Sequence, residues 1–446
     1  MRSFFPARAA TGFVLFMSVL KHSRILLALA VFPAGQSALA NEHMFEVTAD
    51  LSAASFLPKE LLQGEHHVVD DRVRNDGYLN YYMIRSDYGE FEAISTAMLR
   101  TRIGEINAMA ELDELSKTEV FAKAAANAGM RQVKTLRAFA AKPVETVKGI
   151  PAGIGRMFNR FKRQAGEAVD STKEFVADDD EQPGDGESDE NDDSNAVVDL
   201  TGSYLGVDKA HRAWSRKLGT DPYSSNEVLQ AAIKEVAWAE RLGRFGMGFA
   251  GVPKIAGANI IKDVNEAVWS KDPYELRDLN QARLVATGAG DELIEQYLDN
   301  PRMTPSQQTL YTAAIAELAE VSGRAGMLRQ ASLPATEHEM SFLIKSAMLL
   351  AWYHINQQPI DSVKTDTVVP YGETSDGTLV STFAIDHGYW TETSAEAIAS
   401  RGGLVDTGQR REAWLLGTLS ERCRAELEAA GFEVHTNTGV LLAEGS

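Results

Sequence analysis

With 446 residues, 44% of them hydrophobic and 24% charged, the chain has the composition of a folded globular protein and length for two or three domains of roughly 100–200 residues each. A formal charge of −19 excludes a general affinity for nucleic acid or anionic lipid, so any such contact must come from a local basic patch. Cys423 is the only cysteine, which excludes an intramolecular disulfide and any zinc or iron–sulfur cluster built on the cysteines of one chain.

The first 40 residues have the order of a secretory leader. Lys21-His22-Ser23-Arg24 is basic, Ile25 to Phe32 is apolar, Pro33 and Gly35 break the run, and Ala38-Leu39-Ala40 places small residues at a cleavage box. The apolar run is too short to span a bilayer, which takes about 20 residues. Met17 to Ala40 is a complete leader in itself, so Met17 reads as the true start and residues 1–16 as an extension. Cleavage after Ala40, with Ala38 and Ala40 as the box, is expected to yield an exported chain, periplasmic or secreted, of 406 residues beginning Asn41-Glu42-His43. The leader carries four basic residues and no acid, so the mature balance is 40 basic against 63 acidic groups, or −23.

Residues 41–95 read as a β meander. His67 to Val73 and Tyr78 to Arg85 flank Arg74-Asn75-Asp76-Gly77, a strong hairpin signal, and Ser86-Asp87-Tyr88-Gly89 turns into Glu90 to Ile94. Met44 to Val47 is expected to add a strand. Residues 96–176 then read as helical. Met98, Ile103, Ile106, Met109, Leu112 and Leu115 form one apolar stripe, with a break expected near Ser116.

Arg131 to Arg163 holds nine basic residues against Glu145, a local balance of +8. Within it Ile150, Ile154, Met157, Phe158 and Phe161 share one helical face and Arg156, Arg160 and Arg163 another, with Lys162 at the edge. Arg156, Phe158, Arg160, Phe161, Lys162 and Arg163 thus form the candidate membrane or partner surface of a basic amphipathic helix. Two other readings stay open: the apolar face packs on the helical body, or the cations pair with the acidic run that follows. That run, residues 177–195, is too polar and charged to offset its ordering entropy and is expected to be a disordered linker.

Residues 196–360 read as a helical domain. Asp221-Pro222 and Asp272-Pro273 pair a capping acceptor with a proline that has no N–H to lose, and Thr304-Pro305-Ser306-Gln307 adds a capping-box partner. Ala347 to Tyr353 is apolar all round, as a central buried helix would be. Residues 361–446 read as a small α/β unit. Thr367 to Tyr371 and Thr378 to Ile385 flank Ser375-Asp376-Gly377, and Glu412 to Leu416, Ser420 to Ala430 and Phe432 to His435 follow as strand, helix and strand, with Gly431 as the helix stop.

Candidate chemistry is sparse. His66, His67, Asp70 and Asp71 could ligate a metal, but strand alternation sends His67 and Asp71 to one face and the other two to the opposite face. The glycines between Leu242 and Ile261 have the order of neither a phosphate loop nor a dinucleotide fingerprint and fit a tightly packed loop and helix start. Asp386-His387 after a strand end is the best hydrolytic candidate, with Ser381 or Ser420 as its conceivable partner, although no nucleophile-elbow motif is present. Glu337-His338-Glu339 reads as a capping or solvated cluster, and Cys423 as a packing residue of a helix.

Three segments carry a resemblance: Phe91-Glu92-Ala93 with Met98-Leu99-Arg100 and Arg102-Ile103; Pro143 to Pro151; and Leu218-Gly219-Thr220-Asp221-Pro222-Tyr223-Ser224-Ser225-Asn226. On these the chain resembles uncharacterised exported proteins of the bacterial envelope, which implies an envelope location and no catalytic residues to carry over. The combined expectation is an α+β protein, mainly α, with an N-terminal β meander, a long helical body and a small C-terminal α/β unit. Its expected role is that of a non-enzymatic envelope protein binding a partner or membrane surface, with no cofactor and no nucleic acid. The alternative is a periplasmic hydrolase whose residues converge only in three dimensions.

Overall fold

The computed structural model describes residues 45–127, 209–243, 259–402 and 408–442. The leader, the basic surface at residues 156–163, the acidic linker at 177–195 and the glycine-rich stretch at 244–258 lie outside the described residues. The fold is α+β and mainly α. No helix among the described residues is long and apolar enough to cross a membrane.

The chain enters through β1 (Leu51–Ser52), the short helix α1 (Lys59–Leu62), β2 (His67–Val69), β3 (Arg72–Asn75), β4 (Asn80–Ser86) and β5 (Gly89–Ile94). β4 is the centre of this sheet: β2 and β3 pair antiparallel with successive stretches of it, β5 pairs along most of its length, and β1 pairs with β3. The hairpin turn at Asp76-Gly77 forms as its composition dictates. Gly77 sits at φ +103°, where a side chain would be strained, and Asp76 accepts the N–H groups of Tyr78 and Leu79. Two details differ from the sequence reading. The stretch from His67 to Val73 is divided by Asp70-Asp71 into two strands. The extra strand is Leu51–Ser52; of the stretch expected at Met44 to Val47, Met44 lies outside the described residues and 45–47 form no strand, since Glu46 N–H donates to the Trp390 carbonyl and Val47 is 80% exposed.

Helix α2 (Thr96–Ser116) lies on that sheet and buries Leu99, Ile103, Ile106, Met109, Leu112 and Leu115. It ends at Ser116, and α3 (Glu119–Asn127) follows. Further along, α4 (Lys209–Leu218) and α5 (Glu227–Gly243) close this first core with Trp214, Leu229, Ile233 and Val236.

The helices that follow are α6 (Asn259–Ser270), α7 (Pro273–Val285), α8 (Asp291–Leu298), α9 (Pro305–Glu317), α10 (Met327–Gln330) and α11 (Glu337–Asn356); those from α7 onward build the second core, and Val264 and Val268 of α6 pack in a smaller cluster with Tyr223, Leu276 and Ala313. Asp272 with Glu275 and Thr304 with Gln307 form full capping boxes at α7 and α9. Asp221-Pro222 starts no helix: α5 begins at Glu227, capped by Asn226 accepting from Leu229 N–H at 3.2 Å, because the Asp221 carboxylate is held by Ser306 instead. Ala347 to Ala351 and Tyr353 are buried, as a central helix requires.

The C-terminal unit holds β6 (Ile360–Lys364), β7 (Tyr371–Thr374), β8 (Leu379–Phe383), β9 (His387–Gly388), α12 (Glu392–Gly402), β10 (Arg411–Leu415), β11 (Thr418–Leu419), α13 (Glu421–Ala429) and β12 (Phe432–His435). Its main sheet runs β12-β10-β8-β7-β6, with β8, β10 and β12 parallel and β7 and β6 antiparallel, and β9 pairs parallel with β11 beyond the strand ends. Parallel neighbours need crossovers, which α12 and α13 provide. α11 is bolted to β8, since Thr382 Oγ1 donates to the Ser346 carbonyl at 2.8 Å and Ser346 Oγ accepts from Ala384 N–H at 3.0 Å.

Asp386, just past β8, joins this unit to the N-terminal sheet. Its carboxylate accepts Asn80 N–H at 2.9 Å and Thr96 N–H at 3.0 and 3.1 Å, the latter at the first turn of α2. Asp386→Ala leaves two amides unpaired and removes an anion from a helix N-terminus, so a loss of about 3 kcal/mol is expected in urea denaturation, with Asp386→Asn losing less. A loss below ~1 kcal/mol would contradict that junction.

Candidate functional site

Three parallel strands end together near β9 and β11, and ligands of open α/β sheets bind outside such carboxyl ends. The sequence places chemistry-bearing residues there: Asp386 and His387 after β8, Thr418 and Ser420 after β10. Each has a different partner. His387 Nδ1 lies 2.7 Å from Thr418 Oγ1, and its ring meets Tyr389 edge-on at 4.8 Å. Burial holds the imidazole below its ordinary range against the opposing influence of Glu46, so it is neutral at pH 7. Ser420 donates to Glu46 Oε2 at 2.6 Å and caps α13 by accepting from Cys423 N–H at 3.0 Å. Burial pushes the Asp386 carboxyl up, and the amides it accepts from, together with the Lys345 ammonium, oppose that. Burial likewise pushes the Lys345 ammonium down.

The hydrolytic constellation is therefore not assembled. Asp386 directs its oxygens to backbone amides and not to the imidazole, Ser420 serves Glu46, and Ser381 is buried within β8.

What the strand ends do form is a small apolar pocket of about 50 Å³ that is open to solvent on one side. Phe342 of α11, Ile385, Ala397 and Ile398 of α12, and Leu419 and Cys423 are among the residues lining it. Burial pushes the Cys423 thiol up to about 12, which leaves it a packing group and not a nucleophile. The sequence reading found Cys423 on its helix but not the cavity, since α12, which forms one wall, carries no strong periodic signal.

A second cluster gathers polar residues from four segments. Arg102 of α2 donates to Glu105 at 2.7 Å, to Ser225 at 2.7 Å and to Glu337 at 3.5 Å. Ser225 donates to both oxygens of Glu337 at 2.8 Å, Ser224 donates to Glu105, and Asn226 Nδ2 donates to Glu105 at 3.0 Å. Ser306 donates to Asp221 at 2.6 Å. Two of the segments that carry the sequence resemblance, around Arg102 and from Leu218 to Asn226, thus meet in space. Glu337 is a tie between segments, whereas Glu339 is fully buried and accepts Ala335 N–H at 2.7 Å.

The remaining candidates separate. His66 Nδ1 pairs with Asp87 at 2.9 Å, Asp70 with Arg85 at 2.8 Å, Asp71 with Ser52 at 2.7 Å, and His67 is buried. No group of metal-ligating residues occurs among the described residues. No protein-family model matches the chain, and neither a curated protein nor a solved structure matches it.

Burial raises the Asp221 carboxyl to about 6, with Glu105 and Glu337 adding to the rise and the bonds from Ser306 and Tyr223 opposing it. Its native form therefore holds a proton more tightly than the unfolded chain between about pH 4 and 6, so its contribution to stability falls as pH rises through that window. Asp221→Asn keeps an acceptor for Ser306 and carries no charge. It is expected to gain on the order of 2 kcal/mol relative to the parent at pH 8 compared with pH 4, in parallel urea titrations at both values. An equal difference at the two pH values would contradict the assignment.

Proposed function

We propose that this chain is an exported, non-enzymatic protein of the bacterial envelope that acts by binding, with the C-terminal cavity as one binding site. The observation that carries this reading is the contrast at the strand ends. His387, Asp386, Thr418 and Ser420 hold the fold together, while the pocket beside them is lined mainly by apolar and aromatic groups. Such a lining suits an apolar group, whereas hydrolysis needs a positioned water or nucleophile. The leader supports export. The basic face at Arg156, Phe158, Arg160, Phe161, Lys162 and Arg163 supplies, from sequence, a second surface for lipid or a protein partner.

Two measurements test the proposal. N-terminal mass spectrometry of the protein recovered from the cell envelope or medium is expected to find Asn41 as the first residue; a retained leader on protein from the cell interior would remove the envelope role. 1-Hexanol, a small neutral apolar probe, is expected to bind saturably at one site in isothermal titration calorimetry. Filling the cavity by Ala397→Leu is expected to weaken that binding at least tenfold, with the melting temperature kept. Leu419→Phe serves as a second filling variant, and undiminished binding in both would place the probe elsewhere and end the reading.

A further inference from the structure

The N-terminal sheet is completed by residues from the far end of the chain. Glu46 N–H donates to the Trp390 carbonyl at 2.8 Å, and the Glu46 carboxylate accepts Trp390 N–H and the Ser420 hydroxyl, both at 2.6 Å. The first hairpin meets the same region: Asn75 Nδ2 donates to the His387 carbonyl at 3.1 Å, Asp386 N–H donates to the Tyr78 carbonyl at 2.9 Å, and Tyr389 N–H donates to the Gly77 carbonyl at 3.0 Å. With the amides of Asn80 and Thr96 on the Asp386 carboxylate, these bonds join residues 290 to 374 positions apart. Apolar burial follows the same pattern. Leu79, 1% exposed, belongs to a cluster with Leu333, Phe342, Ile385 and Leu415, and Tyr78 and Ile94 pack against that cluster. The sheet therefore neither pairs its hairpin nor buries Leu79 until the C-terminal unit is present. The entropy of closing so long a loop is lost before any of these contacts forms, which makes the closure a late step of folding.

The leader adds an independent observation. Its basic segment, Lys21-His22-Ser23-Arg24, holds no pair of adjacent arginines, the mark of signals that carry folded proteins across a membrane. From these observations we infer that the chain crosses the membrane unfolded and folds only after its C-terminal unit has followed, so that its partner in export is a channel that takes extended chains. This inference rests on the reading of residues 1–40 as an export leader.

The test uses the full-length precursor, purified in urea and diluted into buffer for increasing times before bacterial inner-membrane vesicles and ATP are added. Import, read as processed and protease-protected chain, is expected to be greatest immediately after dilution and to fall at least tenfold as the precursor folds. Pulsed hydrogen exchange over the same times is expected to show the amides of β4 and β5 becoming protected in one phase with those of β8 and β10, and import is expected to decline in that phase. Asp386→Ala is expected to lengthen the period of import competence about threefold or more, and Glu46→Ala, the milder change, to lengthen it less. Protection of β4 and β5 in an earlier phase, import undiminished after folding is complete, or a competence time unchanged in both variants overturns the inference and leaves export standing. Absence of import even from the unfolded precursor removes the export reading itself.

Discussion

The carboxylate of Asp386 is the constraint on which the arrangement of the two sheets depends. It sits one turn of chain beyond β8 and takes amide protons from Asn80, at the start of β4, and from Thr96, at the start of α2. Its own backbone is committed as well: the N–H donates to the Tyr78 carbonyl at 2.9 Å, and the carbonyl accepts Thr418 N–H at 3.0 Å. One residue therefore ties the N-terminal hairpin, the first helix and the β9–β11 pair. The cost of removing this carboxylate from water is offset by the amides, the helix N-terminus and the nearby Lys345 ammonium. Local geometry bends to serve the junction, since Ser95, immediately before α2, holds φ at +92°, a region where a residue with a side chain is strained. Gly417 belongs to the same design. A Cβ there would lie 2.0 Å from the Asp386 carbonyl oxygen, so the close approach of β11 requires glycine.

Much of the fold was legible where local chemistry decides structure. The Asp-Gly hairpin, the α2 stripe, both capping boxes and the strand–helix–strand close of the chain depend on neighbours within a few residues, and their patterns carried through. The misses are places where a distant residue overrides a local rule. Asp221-Pro222 has the composition of a helix start, yet Ser306 takes the carboxylate and Asn226 becomes the cap. His67 to Val73 alternates like one strand, but Asp70 and Asp71 turn outward to Arg85 and Ser52 and divide it. β6 lay unread because it directly follows a long helix, and its neighbour was misplaced: the strand expected at Thr367 to Tyr371 forms instead as β7 from Tyr371 to Thr374.

The same principle explains why the candidate site was only half legible. His387, Asp386 and Ser420 stood out as residue types able to do chemistry, and they do lie together at the carboxyl ends of the strands. Their side chains face different partners, which no spacing rule reveals. The network of Arg102, Glu105, Ser225 and Glu337 was legible only as isolated segments, because its members are separated by up to 235 positions along the chain. It buries charge in a pattern where each carboxylate meets a donor, so it sets register between α2, the 218–226 loop and α11 as much as it stabilises them.

The cavity then needs a physical reason to exist, because interiors of folded proteins pack densely and voids cost stability. At roughly 24 cal/mol per Å³, an empty space of this size costs about 1 kcal/mol. The lining residue Ala397 lies on α12, a crossover helix with exposed residues such as Glu396, so a larger side chain there is one route to filling the space. Ala397 shares the lining with Phe342, Phe383, Tyr389 and Trp390. Gly388 shows the opposite economy nearby, since a Cβ there would press on Leu419 at 2.6 Å and Ile385 at 2.9 Å, so packing on that side is already complete. Tight packing on one side and an unfilled apolar recess on the other is the geometry on which the proposed binding role rests.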